Sequence, residues 1–358
     1  MKNTRFFMFA MALIMVSVLV ACSYSTLSID TAKSSAQSTG QIYLYGEYHG
    51  IQKILEKELE LWNQYYHEEN MRHLFIEGSY YGAEFLNLWM QSDSDDIMEE
   101  LYKDWEGTAA HNPYVKEFYK KVKSECPETI FHGTDVGHQY DTTGQRFLKY
   151  LEENNLKNTE KYLLAQEAIE QGKYYYEHSD NVYRENKMME NFIREFDKLK
   201  GENIMGIYGS THTDFDSMEY ITNSVPCMAN QLKKRYEDNI YSEDLSWLMK
   251  EVEPFRVDIV SINGKNYEAS YFGKQDLTGF KDYEYREFWR LENAYEYFKD
   301  KKKTGSVLPY DNYPMLIETG QVFVIDYTRT DGSVERVYYC SDGYTWNGEP
   351  STEEFTIK

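Results

Sequence analysis

Acidic and histidine side chains follow four short apolar runs of the sequence, a spacing that could bring proton-transfer or metal-binding groups together. The runs cover 42–45, 73–76, 129–131 and 203–208, and the residues that follow them are Glu47 with His49, Glu77, Asp135, and His212. In open parallel sheets, ligands bind outside the carboxyl ends of the strands. If the four runs are parallel strands, their terminal side chains share one crevice.

The segments between these runs indicate helices. Apolar residues recur at helical spacing after position 51, 83–125 is broken only by a polar stretch, and 144–200 forms a long helical pattern. Strands that alternate with helices predict a mostly parallel sheet with helices on both faces.

The pattern of apolar residues changes near residue 255. Apolar and polar residues alternate over 255–262, and Asn263-Gly264 and Asp331-Gly332 are hairpin signals. We interpret 283–298 as a helix rich in aromatic residues. The predicted fold class is therefore α/β, a mostly parallel sheet with helices on both faces, plus a small, mainly β, Tyr-rich C-terminal extension.

Two G-x-x-H motifs, at 46–49 (GEYH) and 209–212 (GSTH), carry a family resemblance. Together with 75–78 (FIEG) and 183–191 (YRENKMMEN), they resemble the superfamily that joins erythromycin esterases, ChaN-type haem-uptake lipoproteins and Tiki/TraB metalloproteases. The resemblance covers roughly 41–225. The esterase pattern usually has two residues between Glu and His, whereas one separates Glu47 from His49, a spacing closer to the ChaN and Tiki types.

These residue types allow two kinds of chemistry. Neutral imidazoles with a carboxylate can bind a divalent metal that activates water, here His49, His212 and one of Glu47 or Glu77. The spare carboxylate would be a general base or would orient an imidazole. Without metal, His49 is the general base, held by Glu47.

Four further residues have open roles. Arg184 pairs with Glu77 or binds an anionic substrate group, and Asp135 binds substrate or starts a helix. The nearby His132 and His138 are weaker candidates.

The first functional hypothesis is a hydrolase, metal-assisted, that acts on an ester or amide bond of a small molecule or peptide. The second is a lipoprotein that binds haem, a metal or another ligand without catalysis. The third is a surface protein whose C-terminal region binds a partner, with a vestigial site. The hydrolase is our leading prediction.

The N-terminus has the pattern of a bacterial lipoprotein signal. Lys2 and Arg5 precede an apolar run over 8–20, which at roughly 1.5 Å per residue is too short to span a bilayer. Residues 19–22 (LVAC) resemble a lipobox, in which the chain is cut before Cys22 and its thiol takes a diacylglycerol. This predicts a membrane-anchored, extracytoplasmic protein.

The predicted organisation has four segments. They are a signal peptide (1–21), a lipidated cysteine with a flexible linker (22–40), the α/β domain (41–260) and the β extension (261–358).

The amino-acid composition limits the classes of partner that we expect. The chain carries 60 acidic and 38 basic residues, for a net charge of −22. Such a field repels a phosphate backbone, so we expect no nucleic-acid partner. The three cysteines besides Cys22 fit no zinc motif, and we predict no disulfide framework.

The lipid anchor yields a direct prediction. In the expressing bacterium, Cys22→Ala should move the protein from the membrane fraction to the soluble fraction, because the acyl chains would have no thiol to join. Fractionation followed by immunoblotting measures this, and Cys126→Ala is the matched control. Tight membrane association of Cys22→Ala would contradict the lipoprotein prediction.

Overall fold

The computed structural model describes residues 40–346 and 349–357. The signal peptide, Cys22 and all but the last residue of the predicted linker lie outside the described residues, so they stay predictions. Within these two ranges, no helix has both the length and the apolar character needed to cross a membrane.

Five parallel strands form the first sheet, in the order β3-β2-β4-β1-β5. Their bounds are β1 (Ile42–Glu47), β2 (His73–Ser79), β3 (Ile130–Asp135), β4 (Ile204–Gly209) and β5 (Ile240–Asp244). The first four coincide with the apolar runs of the sequence. Strand β5 was not predicted, because residues 242–244 are polar and the strand is defined by its pairing with β1.

Helices cover both faces of this sheet. Their bounds are α1 (Gln52–Glu68), α2 (Tyr80–Met90), α3 (Asp96–Asp104), α4 (Pro113–Glu125), α5 (Gln145–Glu153), α6 (Glu160–His178), α7 (Asn181–Asp197), α8 (Ser210–Thr213) and α9 (Met228–Tyr236). Helices α1–α6 share one apolar core with the sheet, and α7 and α9 share the other. Each face of the sheet has its own apolar core, because successive side chains of a β-strand point to opposite faces.

The junction between α6 and α7 places the first turn of α7. Ser179 ends α6 in the left-handed region, with φ of 50°. Asp180 then caps α7, since its Oδ1 accepts a hydrogen bond from the Tyr183 amide at 2.9 Å. Arg184 and Glu185 follow in the first turns of α7, and both enter the site described below.

The C-terminal region is a large antiparallel sheet, in the order β6-β7-β8-β10-β11-β14-β9. Its strands are β6 (Arg256–Ile262), β7 (Lys265–Asp276), β8 (Tyr283–Leu291), β9 (Lys303–Leu308), β10 (Gln321–Arg329), β11 (Val334–Ser341) and β14 (Thr352–Phe355); β12 (Thr345–Trp346) and β13 (Glu349–Pro350) form a separate pair. Separate apolar cores lie on its two faces. The predicted fold class, with only a small C-terminal extension, is therefore wrong.

The predicted helix over 283–298 is also wrong. Residues Tyr283–Leu291 form strand β8, and only Tyr295–Phe298 is helical, as the single turn α10. Strand β8 pairs along its length with β7 on one side and β10 on the other. Aromatic residues suit a pleated surface, so long-range pairing overrode the local pattern.

The two predicted hairpins are confirmed. Asn263 and Gly264 have φ of 49° and 79° between β6 and β7, the left-handed values that a tight two-residue turn needs. Asp331-Gly332 lies between β10 and β11, where the Asp331 carboxylate accepts the Ser333 amide at 2.9 Å.

Candidate active site

The carboxyl ends of β1, β2, β3 and β4 meet at one edge of the parallel sheet and deliver the acidic groups named from the sequence. Glu47 ends β1, Glu77 lies near the end of β2, and Asp135 ends β3. Gly209 ends β4 and is followed by α8, which carries His212. The arrangement follows from the parallel direction of the strands.

His49 and Glu47 form a pair at the mouth of this edge. The Nδ1 atom of His49 lies 2.8 Å from Glu47 Oε1, and its Nε2 atom lies 3.7 Å from Glu77 Oε2. Burial would lower the pKa of His49, but the carboxylates of Glu77 and Glu47 outweigh it and raise that pKa to about 9. The His49 side chain is 43% exposed, so solvent screens part of this field.

Glu77 contacts groups from four other segments of the chain. Its Oε2 accepts the Gly209 amide at 2.6 Å, and its Oε1 accepts Arg184 Nη2 at 2.6 Å. His212 Nε2 lies 3.5 Å from the same Oε1. Burial opposes ionisation of Glu77, but His212, His49 and Arg184 lower its pKa to about 2. Glu77 is therefore an anion at neutral pH, paired with Arg184 and close to both histidines.

The close approach of Gly209 to Glu77 leaves little room for a side chain. A Cβ atom at position 209 would lie 3.2 Å from Glu77 Oε2 and 3.4 Å from His49 Nε2. The first distance is tighter than most real Cβ contacts, so a larger residue would push the Glu77 carboxylate by a few tenths of an ångström.

Arg184 links Glu77 to Asp135. Its guanidinium contacts Asp135 Oδ2 at 2.5 Å through Nη2 and Oδ1 at 3.1 Å through Nε. Burial would raise the pKa of Asp135, but Arg184 and His138 hold it well below its usual range. Of the two roles considered for Arg184, the structure contains the ion pair with Glu77.

A chain of hydrogen bonds continues from Asp135 to the rim of the site. His138 Nε2 lies 2.8 Å from Asp135 Oδ2, and His138 Nδ1 lies 2.6 Å from the Tyr176 hydroxyl. His132 lies elsewhere: its Nε2 contacts His73 Nδ1 at 2.9 Å, and its ring stacks on Phe75.

His212 is oriented by Glu185, a residue that was not among the sequence candidates. Its Nδ1 lies 2.7 Å from Glu185 Oε1, while Glu185 Oε2 accepts the Met228 amide at the start of α9. Burial acts against the charge on His212, but Glu77 and Glu185 outweigh it and raise its pKa above the ordinary value. The one available signal was its position beside Arg184 in the 183–191 motif.

A cavity of about 470 Å³ opens beside these groups. Its border includes Glu47, His49, Glu77 and Arg184 together with the aromatic side chains Trp105, Phe118, Tyr119, Tyr175 and Tyr176. His49 also borders a second cavity of about 280 Å³, to which Phe255, Phe272 and Lys274 of the antiparallel region contribute. A ligand in either space would meet His49.

Glu58 on α1 borders the larger cavity and was also not among the candidates named from the sequence. Burial and the negative charge of Glu47 raise the pKa of Glu58 well above its usual range. No local pattern marks it as functional, because a glutamate within a helix is usually on the exposed face.

The predicted divalent-metal site finds little support in this arrangement. Among the residues that the structure describes, no three His, Cys, Asp or Glu side chains are arranged to hold a metal ion. Arg184 supplies the positive charge at the candidate position, with Nη1 3.4 Å from His212 Nε2 and Nη2 on Glu77. Since the guanidinium contacts two of the intended ligands, a metal bound to Glu77 and His212 would have to compete with it. Metal binding itself stays a prediction.

Comparison with known proteins identifies no family. No protein-family model matches this sequence, and no curated protein matches it. An erythromycin esterase mutant in its open conformation is similar in structure, with a TM-score of 0.44 and 10% identity over 65% of this chain and 76% of that one.

Two further solved structures are similar at the same level. A protein from Bacillus cereus has a TM-score of 0.41 and 12% identity over 58% of this chain, and a succinoglycan biosynthesis protein has 0.41 and 13% over 57%. In both cases the match spans 66% of the other chain. At these scores the similarities support no assignment of activity, and the predicted superfamily membership stays a prediction.

The raised pKa of His49 predicts a pH-dependent stability. His49 is protonated in both the folded and the unfolded chain below its ordinary pKa of 6.5, so its ion pairs stabilise the fold fully there, and this contribution is lost as pH rises toward about 9. We expect the advantage of the wild type over His49→Gln in thermal midpoint to shrink between these pH values. His178→Gln, at an exposed site in the last turn of α6, is the control. A constant advantage across this range would contradict the assignment.

Proposed function

We propose that this protein is a hydrolase that cleaves an ester or amide bond at the carboxyl edge of its parallel sheet. The observation that carries the proposal is the geometry of His49, whose Nδ1 is held by Glu47 at 2.8 Å while Nε2 faces the Glu77 side of the site. An imidazole anchored at one nitrogen by a carboxylate presents the other nitrogen as a base.

The reaction follows from the contacts of His49. With its Nδ1 proton donated to Glu47, neutral His49 accepts a proton from water at Nε2, and the hydroxide formed attacks the substrate carbonyl carbon. The carbon–heteroatom bond of the tetrahedral intermediate then breaks, and His49 returns the proton to the leaving group. Glu47 fixes the tautomer and stabilises the imidazolium.

Arg184, which borders the larger cavity, supplies positive charge for the developing oxyanion. Arg184 and His212 lie side by side, with 3.4 Å between Nη1 and Nε2, and both are anchored by Glu77. Groups fixed before the reaction stabilise transition-state charge without reorganisation. Glu77 therefore positions Arg184 and His212 and does not act as the base.

The location and substrate of the proposed enzyme rest on the sequence. The lipobox at 19–22 supports a lipid-anchored, extracytoplasmic protein, and the net charge of −22 supports a small-molecule or peptide substrate rather than nucleic acid.

Hydrolysis of p-nitrophenyl acetate and butyrate, with the matching anilides, tests the proposal on the full chain. We expect His49→Gln to lower kcat/KM by about 100-fold or more, because a positioned general base contributes about that factor. We expect kcat/KM of the wild type to rise with pH up to about 9, where His49 of the free enzyme becomes neutral.

The control for this experiment is His178→Gln, which should keep wild-type rates. If His49→Gln turns over these substrates at the wild-type rate, His49 is not the general base. If the wild type hydrolyses neither the esters nor the anilides, the proposal that the protein is a hydrolase is wrong.

The second candidate is a ligand-binding lipoprotein without catalysis, and the size of the larger cavity favours it. Elemental analysis and an absorption spectrum of the purified chain separate the two candidates. Because Arg184 already pairs with Glu77, one of the intended metal ligands, we expect less than stoichiometric metal and activity that survives a chelator. We also expect no Soret band after haem addition. One divalent ion per chain, lost in His212→Ala, would restore the metal-assisted hydrolase, and a Soret band would favour haem binding.

A further inference from the structure

Three carboxylate oxygens in the wall of the larger cavity have no hydrogen-bond partner among the described residues. They are Oε2 of Glu47 and both oxygens of Glu58, and all three are buried. Both residues border the cavity that contains the proposed hydrolytic centre. The other oxygen of Glu47 holds His49 at 2.8 Å.

Glu58 interrupts an otherwise apolar helix face. The other buried residues of α1 are Ile54, Leu55, Trp62 and Tyr66, and Glu58 is 0% exposed among them. A buried carboxyl without a partner destabilises a fold, and polar groups that break a local rule in this way concentrate at functional sites. The helix itself gives no reason for an acid at this position.

We propose that Glu47 and Glu58 form a subsite for a protonated primary amine on the substrate, beside the hydrolytic centre. The subsite rests on the proposed function, because the amine would belong to the molecule that is cleaved. A primary ammonium group has three N–H donors, and its charge would favour the ionised form of Glu58, in which all three unpartnered oxygens are acceptors. Its positive charge would also offset the negative charge of the neighbouring Glu47.

The surroundings suit the carbon chain that carries the amine. Leu55, Val115 and Phe118 border the same cavity and offer an apolar wall. The three oxygens are buried, so the Glu47 and Glu58 side chains have to turn toward the cavity to contact an amine, and a small head group requires the smallest movement. A trimethylammonium group is too wide and has no N–H donor.

The shared residue explains how such a subsite would aid the reaction. Glu47 contacts His49 through Oε1 and presents Oε2 to the subsite. An amine bound to Oε2 would place the rest of the substrate next to the base, which is how remote binding groups orient a reacting bond.

Calorimetry with n-butylammonium on the full chain in detergent tests the subsite without requiring turnover. We expect n-butylammonium to bind, n-butanol and n-butyltrimethylammonium to bind at least about 10-fold more weakly, and Glu58→Gln to lose about 10-fold or more in affinity. Glu60→Gln, at an exposed position of the same helix, is the matched control and should bind as the wild type does.

A second variant separates lost binding from lost folding. Glu58→Leu should also lose the amine but melt about 2 °C or more above the wild type, since it removes an unpartnered buried acid. Unchanged affinity in Glu58→Gln, or equal binding of n-butanol, would overturn the subsite.

The two proposals fail separately. Ester hydrolysis without Glu58-dependent amine binding would overturn the subsite alone. Glu58-dependent amine binding without hydrolysis would support the subsite as a ligand site and overturn the hydrolase.

Discussion

The buried carboxylate of Glu77 is the constraint on which the site depends. It accepts the Gly209 amide and the Arg184 guanidinium at 2.6 Å each, and both candidate histidines lie within 3.7 Å of its oxygens. A charge buried in this way is tolerated only when partners surround it. Those partners come from different elements, so the ionised Glu77 joins β2, β4, α7 and α8 at one point.

Side chains from the first turns of helix α7 connect residues at the carboxyl ends of several strands. Its first turns carry Arg184, which pairs with Glu77 and Asp135, and Glu185, which contacts His212 and the Met228 amide. Two adjacent side chains of opposite charge thereby fix the positions of β3, α8 and α9 relative to β2. The side chains of this network are mostly buried, while the His49 side chain at the mouth is 43% exposed and accessible to a ligand.

The antiparallel region is connected to the candidate site as well as being large. The Gly107 amide, which follows α3, donates to the Thr278 carbonyl at 2.9 Å, and the rings of Tyr48 and Tyr310 approach to 5.0 Å. Tyr48 lies between Glu47 and His49 in sequence. The second cavity at His49 is bordered by residues of both regions, so the C-terminal strands contribute to the space around the proposed base.

The sequence by itself determined which segments are the first four parallel strands, where two hairpins turn, and which acidic and histidine residues follow the strands. These features are local: apolar runs, turn residues and short motifs act within a few positions.

Tertiary structure decided the rest. It made 283–291, part of the predicted helix, into β8 through pairing with β7 and β10, and it built a seven-stranded sheet in the C-terminal region. It also placed Arg184 in contact with two of the intended metal ligands and turned Glu58 and Glu185 inward. Partners such as Arg184 and Asp135 lie 49 positions apart, and no local pattern encodes which distant charge will neutralise a buried one.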